Sequence, residues 1–273
     1  MYQNVFYDKR KNKVHVWDDR RGHLIVPYKK YAYVKNASGL HHTLDGTKVK
    51  KVYQWDDDDP SLYESDVPIT TRFLVDQYTD SDDVAEGNRT FYFDIEVEVV
   101  DGFPDVEKAE TAITSIALYD EILKKYICYT LDSKNTIQNY EDGDTLVELF
   151  KTEHELLTRF YQKYSEIQPT ILSGWNIDFF DIPYLYNRTV RVLGSEVAKM
   201  LSPIRHCYYN EYKKKFVIAG VSVLDYLALY KKFSPIQQSS YRLDYIGEVE
   251  VGMKKIEYEG TLNDLFEKDL QKF

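Results

Sequence analysis

The chain is poor in the residues that staple or anchor a protein. Only two cysteines, Cys128 and Cys207, occur in 273 residues, too few and too far apart for a disulfide scaffold or a zinc site. No stretch approaches the roughly twenty apolar residues of a membrane span. The opening Met1-Tyr2-Gln3-Asn4 begins no apolar signal region. Repeats and low-complexity tracts are also missing, which excludes a solenoid architecture. These absences lead to the expectation of a soluble, globular, intracellular protein, long enough for two modest domains. Tyrosine, by contrast, is plentiful at 25 residues. Such rings suit strands and stacking surfaces, but tyrosine use also follows base composition and carries little weight.

The net charge is −10, yet its distribution is uneven. Residues 1–55 hold twelve Lys or Arg against four acids, whereas residues 56–101 hold two against fifteen. A basic N-terminal block fits contact with phosphates, or equally a solvated lysine-rich surface. The run Asp56-Asp57-Asp58-Asp59 reads as a structural loop.

The most informative run is Phe91-Tyr92-Phe93-Asp94-Ile95-Glu96-Val97. Side chains alternate along a strand, so Asp94 and Glu96 share one face while Phe93, Ile95 and Val97 take the other. Two adjacent carboxylates in a sheet interior repel each other and lose hydration unless a cation sits between them. Oxygen donors of this kind suit Mg²⁺ or Mn²⁺. The alternative is a strand with one wet face, where both acids are merely solvated.

A second acidic cluster follows. Ile171-Leu172-Ser173-Gly174-Trp175-Asn176 reads as a short strand stopped by a glycine turn. A helix is predicted from Asp181, with Asp178 as its cap and Pro183 early in it. Asp181 then falls at the end of the preceding strand, where α/β sheets place ligands. It could also be an acid favoured at a helix N-terminus for charge alone.

Phe-Asp-Ile-Glu, followed after about eighty residues by Gly-Trp-Asn-x-x-x-Phe-Asp-Ile-Pro-Tyr, resembles the first two exonuclease motifs of family B DNA polymerases, in particular those of T-even-like bacteriophages. Asp101-Gly102-Phe103-Pro104, Leu201-Ser202-Pro203, Ser222-Val223-Leu224-Asp225-Tyr226 and Ser240-Tyr241-Arg242-Leu243-Asp244-Tyr245-Ile246 strengthen the likeness. It is strong from about Phe91 onward and weaker before.

The organisation expected is a β-rich α+β N-terminal domain over residues 1–88 and an exonuclease domain over 89–273. Alternating segments at 4–7, 13–17, 24–28, 31–34 and 49–55 supply N-terminal strands, and the polar stretch 78–88 a boundary. Strands at 91–99, 112–119 and 126–131, a helix at 153–164, a strand at 169–173 and a helix at 181–193 fit a ribonuclease H-like α/β layer.

The resemblance implies a 3′→5′ proofreading exonuclease acting by two-metal hydrolysis, with two Mg²⁺ or Mn²⁺ ions about 4 Å apart. It implies that Asp94 bridges both ions. Glu96 holds the nucleophile-side ion and orients the water, and Asp181 binds the second ion directly or through water. Asn176 would contact the terminal nucleotide, or simply shape the turn. Phe103 would stack on the frayed 3′ end, or else anchor its loop in the core. The implied partners are DNA, as a single-stranded 3′ end on a primer-template, and the remaining polymerase domains in cis or trans. RNA contact through the N-terminal domain stays open. The implied location is the cytoplasm of an infected bacterial host.

Two departures qualify this. The family's third motif, a Tyr followed four residues later by an Asp, is missing downstream of Tyr258. The exonuclease domain is therefore expected to be C-terminally incomplete, and the isolated chain weak or inactive unless Asp225 or Asp244 completes the acidic cluster. The segment 206–219, in the place of a strand-separating hairpin, is also short; Lys213, Lys214 and Lys215 could track phosphates or keep a turn soluble. A free-standing nuclease and a catalytically silent nucleic-acid-binding module remain as alternatives to a polymerase portion.

Overall fold

The computed structural model describes residues 1–273 except Asp57, Asp101 and Ile122. Two positions named above, Asp57 of the acidic run and Asp101 of the Asp-Gly-Phe-Pro stretch, lie outside the described residues. The chain separates into two compact units, Met1–Gly87 and Asn88–Phe273.

In the first unit, β1 (Tyr2–Asp8), β2 (Lys13–Asp18) and β3 (Gly22–Pro27) form an antiparallel sheet in that order. β4 (Ala32–Lys35), β5 (His41–His42), β6 (Lys48–Val52) and β7 (Leu62–Tyr63) form a second, in the order β5-β6-β4-β7. Helix α1 (Ile69–Tyr78), which the alternating pattern did not announce, seats Phe73 against Val14 and Val16. Its anchor is polar as well: the Tyr28 and Tyr31 hydroxyls donate to Asp76 at 2.6 and 2.7 Å. Strand β6 stops at Val52, three residues short of the expected segment.

The second unit is built on a seven-stranded mixed sheet. Its strands are β8 (Thr90–Val97), β9 (Ile113–Asp120), β10 (Lys125–Leu131), β11 (Tyr140–Asp142), β12 (Thr145–Phe150), β13 (Ile171–Gly174) and, after a two-stranded hairpin of β14 (Cys207–Asn210) and β15 (Lys215–Ile218), β16 (Ser222–Asp225). The order is β11-β12-β10-β9-β8-β13-β16. The expected three-stranded meander is its antiparallel centre. β12 extends it in parallel on one side, and β13 and β16 on the other.

Helices α2 (Glu153–Ile167) and α3 (Asp181–Leu193) bury the apolar face. Phe91, Phe93, Ile95 and Val97 of β8 join Leu156, Leu157, Phe160, Ile182 and Leu185 in one core. Helix α2 starts at a reciprocal cap between Thr152 and Glu155. The Arg188 guanidinium ties α3 to α2 through Glu153, at 2.6 and 2.8 Å. Short helices α4 (Ser195–Ala198), α5 (Tyr226–Phe233), α6 (Leu243–Val251) and α7 (Leu262–Lys268) complete the unit.

Candidate active site

Strand β8 alternates as its sequence requires. The odd-numbered apolar residues Phe91 to Val97 are buried, while Tyr92, Asp94 and Glu96 point to the opposite face. Asp181 is the first residue of α3 and is only 4% exposed. Its position is fixed by the sheet. The last β13–β8 pair is Ser173 with Tyr92. Beyond it the Ile95 N–H has no strand to meet and donates instead to Asp181 Oδ1 at 3.0 Å. A carboxylate thus continues the sheet's pairing where β13 ends.

This contact holds Asp181 beside Asp94, close enough for each carboxyl to influence the acidity of the other. Burial pushes the Asp181 carboxyl well above the usual carboxylate range, and the neighbouring Asp94 charge pushes it further. Lost hydration likewise raises Asp94, although the residue stays exposed on its strand face, against the pull of Lys255. Glu96 is pushed up to about 7, first by lost hydration and then by Asp94. Lys255 is the cation that tempers both β8 acids. It lies in an irregular segment after α6, where no local pattern marked it, and its own N–H donates to Asp244 Oδ1 at 2.8 Å.

Crowded oxygen donors that resist ionisation are the environment a divalent cation relieves, and the donor chemistry suits Mg²⁺ or Mn²⁺. Among the described residues, however, no group of three or more His, Cys, Asp or Glu side chains is arranged to hold a metal ion as it stands. The arrangement is a pair of neighbouring carboxyls, Asp94 and Asp181, with Glu96 beside Asp94 on the strand.

Phe103 is not a core residue. It is 70% exposed, with its ring 5.2 Å from Phe180 and 6.4 Å from Phe179, itself 62% exposed. Asn176 adopts a left-handed φ of 65° and shapes the turn after β13, its carbonyl accepting from the Phe179 and Phe180 N–H groups. Its backbone is therefore a turn residue whatever its side chain does.

The expectation that Asp178 caps α3 is wrong. The residue before the helix is Phe180, without a side-chain cap. The Asn176 turn inserts Phe179 and Phe180 between Asp178 and the first helical residue, and the Asp178 carboxylate pairs with Lys215 of the hairpin at 3.3 Å. Lys215 is thereby spoken for. Asp225 and Asp244 do not complete the acidic cluster. Asp225 is occupied by four backbone N–H groups, and Asp244 accepts from Lys255 on an exposed helix start.

Sequence reasoning also missed why Gly174 is there. A Cβ on it would stand 2.5 Å from the Phe93 carbonyl oxygen and 2.5 Å from Ile177. Only glycine lets the turn close against the backbone next to Asp94. The neighbouring Trp175 packs near the rings of Tyr226 and Tyr230 and donates its indole N–H to the Tyr241 carbonyl at 3.1 Å.

The family model for the exonuclease domain of family B DNA polymerases matches residues 79–246. A DNA-directed DNA polymerase of Escherichia phage RB69 is 36% identical over 214 residues, covering 68% of this chain and 24% of its own length. That of Enterobacteria phage T4 is 33% identical over 207 residues, covering 66% and 23%. DNA polymerase 1 of Saccharolobus solfataricus is 32% identical over 220 residues, covering 75% and 21%. The chain therefore spans about a quarter of the length of the phage relatives it matches. By the span of that match, this chain belongs to the family B DNA polymerases and carries their exonuclease domain.

Proposed function

We propose that the chain is the proofreading part of a phage-type replicative DNA polymerase, a 3′→5′ exonuclease that hydrolyses single-stranded 3′ ends. One observation carries this reading: the Asp94 and Asp181 carboxyls come together, with Glu96 on the strand face of Asp94, and the exposed Phe103 ring stands on the loop beyond that strand. On this reading residues 1–88 are a β-rich α+β N-terminal domain and residues 89–273 a ribonuclease H-like exonuclease domain.

Asp94, Glu96 and Asp181 are the residues that would hold two Mg²⁺ or Mn²⁺ ions. When bound, such ions activate water and stabilise the leaving 3′ oxygen. Glu96 orients the attacking water from its place beside Asp94. Phe103, backed by Phe180, offers a face to the terminal base, and such stacking tolerates any sequence, as proofreading requires. Asn176 has its backbone committed to the turn, leaving its side-chain amide for the terminal nucleotide. The partners are a single-stranded 3′ end on a primer-template and the remaining polymerase domains in cis or trans. RNA contact through the basic N-terminal block has only its charge in support. The place of action would be the cytoplasm of an infected bacterial host; among the described residues no helix is long and apolar enough to cross a membrane.

One observation favours a second reading, a catalytically silent nucleic-acid-binding module. The Lys255 charge already tempers Asp94 and Glu96, the part a cation would otherwise play. The test is Asp94→Ala in the polymerase that carries this chain. Degradation of single strands is expected to vanish while primer extension persists. Comparable loss of both, or loss of neither, rejects the dedicated exonuclease.

A further inference from the structure

We propose that Asp225 is a positioning residue for the exonuclease site, holding the turn that delivers Asp181 to Asp94. The inference rests on the reading of Asp181 as part of that site.

Asp225 ends β16 directly opposite Gly174 in the parallel pair with β13. Its side chain is buried, and the residue is 7% exposed. Oδ1 accepts from the N–H groups of Leu227 at 2.9 Å and Ala228 at 3.3 Å, which caps α5. The same oxygen accepts from the Asn176 N–H at 3.2 Å, and Oδ2 accepts from the Asp178 N–H at 3.1 Å. Two of the four bonds are thus an ordinary helix cap, for which Ser, Thr or Asn serves as well. The other two reach back nearly fifty residues to the turn between β13 and α3. Only a carboxylate presents two acceptor-only oxygens that can face both ways at once.

That hold acts on the turn from outside. Asn176 sits in the left-handed region at φ 65°, which asparagine tolerates better than most residues, and the Asp225 carboxylate holds its N–H there. From there the bonding runs forward without a gap. The Asn176 carbonyl accepts from Phe179 and Phe180, the Ile177 carbonyl accepts from Ile182, and Asp181 accepts from Ile95 of β8. One path of hydrogen bonds therefore links Asp225 to the strand that bears Asp94 and Glu96. Asp225 itself is not one of the acids of the site. Three N–H groups crowd its Oδ1 and a fourth takes Oδ2, so its carboxylate is already committed to backbone donors.

Asparagine at 225 keeps the Oδ1 contacts, with the α5 cap and the Asn176 N–H, and gives up the Oδ2 hold on the Asp178 N–H. Its carbonyl can keep the α5 cap, while its amide group turns a donor toward the Asp178 N–H. The measurements are amide exchange in the 273-residue chain and single-strand degradation by the polymerase of which it forms part. For Asp225→Asn we expect exchange at the Ile95 N–H to accelerate on the order of tenfold. We also expect kcat to fall on the order of tenfold to a hundredfold, as misplacements near 1 Å do, with unchanged Kd for a single strand. Asp225→Ser, which caps the helix but reaches neither turn N–H, should do the same. Parental Ile95 exchange in both variants, or parental kcat in both while the parent is active, would reduce Asp225 to a cap and overturn the proposal. A parent that degrades nothing would instead reject the exonuclease reading, and Ile95 exchange would still decide the case of Asp225.

Discussion

Asp18 and Asp181 are equally hidden from solvent, each 4% exposed, but Asp181 lies far deeper among other atoms, and their acidities move in opposite directions. Asp18, in the first unit, accepts from the Arg21 guanidinium and from the Tyr78 hydroxyl, both at 2.9 Å, and from the Arg20 and Arg21 N–H groups. The Arg21 hydrogen bond comes first among the influences that hold its carboxyl far below the usual range, and it outweighs the loss of hydration. Asp181 has one backbone donor and a second carboxyl for company, and its acidity is driven up. Low exposure alone therefore does not say what an acid is for. A carboxylate surrounded by donors is a fastener. One buried against another carboxyl is being held in a state that only a proton or a cation relieves, which is the signature of a site of chemistry.

The largest expected effect falls on that contrast. Asp181→Asn should lower single-strand degradation by at least about a hundredfold without lowering the melting temperature, because it removes like-charge repulsion while an amide oxygen can still accept from Ile95. Loss of stability equal to that of a fastener would erase the distinction. Asp18→Asn should do the reverse, costing about 2–3 kcal/mol in the unfolding of the first unit through its charged hydrogen bonds. Activity should stay as it was.

The sign of its pH dependence is fixed. The folded-state acidity of Asp18 lies below the unfolded value near 3.8, so its stabilisation is whole above that pH and is lost as pH falls below it. Urea unfolding at pH 7 and pH 3 should show parent and variant converging in acid; a constant gap would refute the assignment. The smallest effect is expected from Phe103→Ala. Single-strand binding should weaken by on the order of 1 kcal/mol, the low end for one base stack, with the melting temperature almost unchanged. A large thermal loss with unchanged binding would make it a packing residue.

The two units also differ in how far their sequences could be read. Strand β8 and helix α3 were legible because their signals are local: strict alternation over Phe91 to Val97, and a glycine turn before a run of helical spacing. Helix α1 was not, because its N-terminus at Pro68 carries no side-chain cap, no acid opens its first turn, and Val75 faces solvent. β12 escaped because its burial is nearly uniform, without the two-residue rhythm that marks a half-buried strand. In the candidate site, the acids could be named from spacing. Their surroundings could not: Lys255 near Asp94, Lys215 on Asp178 and Asp225 under the turn are all brought in by the fold from distant parts of the chain. The misplaced cap at Asp178 is the same failure, since local propensity favoured a job that a hairpin lysine and a two-residue turn took away.

Gly174 carries a consequence for anyone who would redesign this region. Most positions near the acids accept an alphabet of several letters, since size can be traded against a shift in a flexible neighbour. At 174 the obstacle is the backbone oxygen of Phe93, 2.5 Å from where a Cβ would stand, and Phe93 is bonded directly to Asp94. The alphabet there has one letter. Information about the chemistry of this face is thus stored in a residue with no chemistry of its own, and a search for function that weighs only reactive side chains would pass over it.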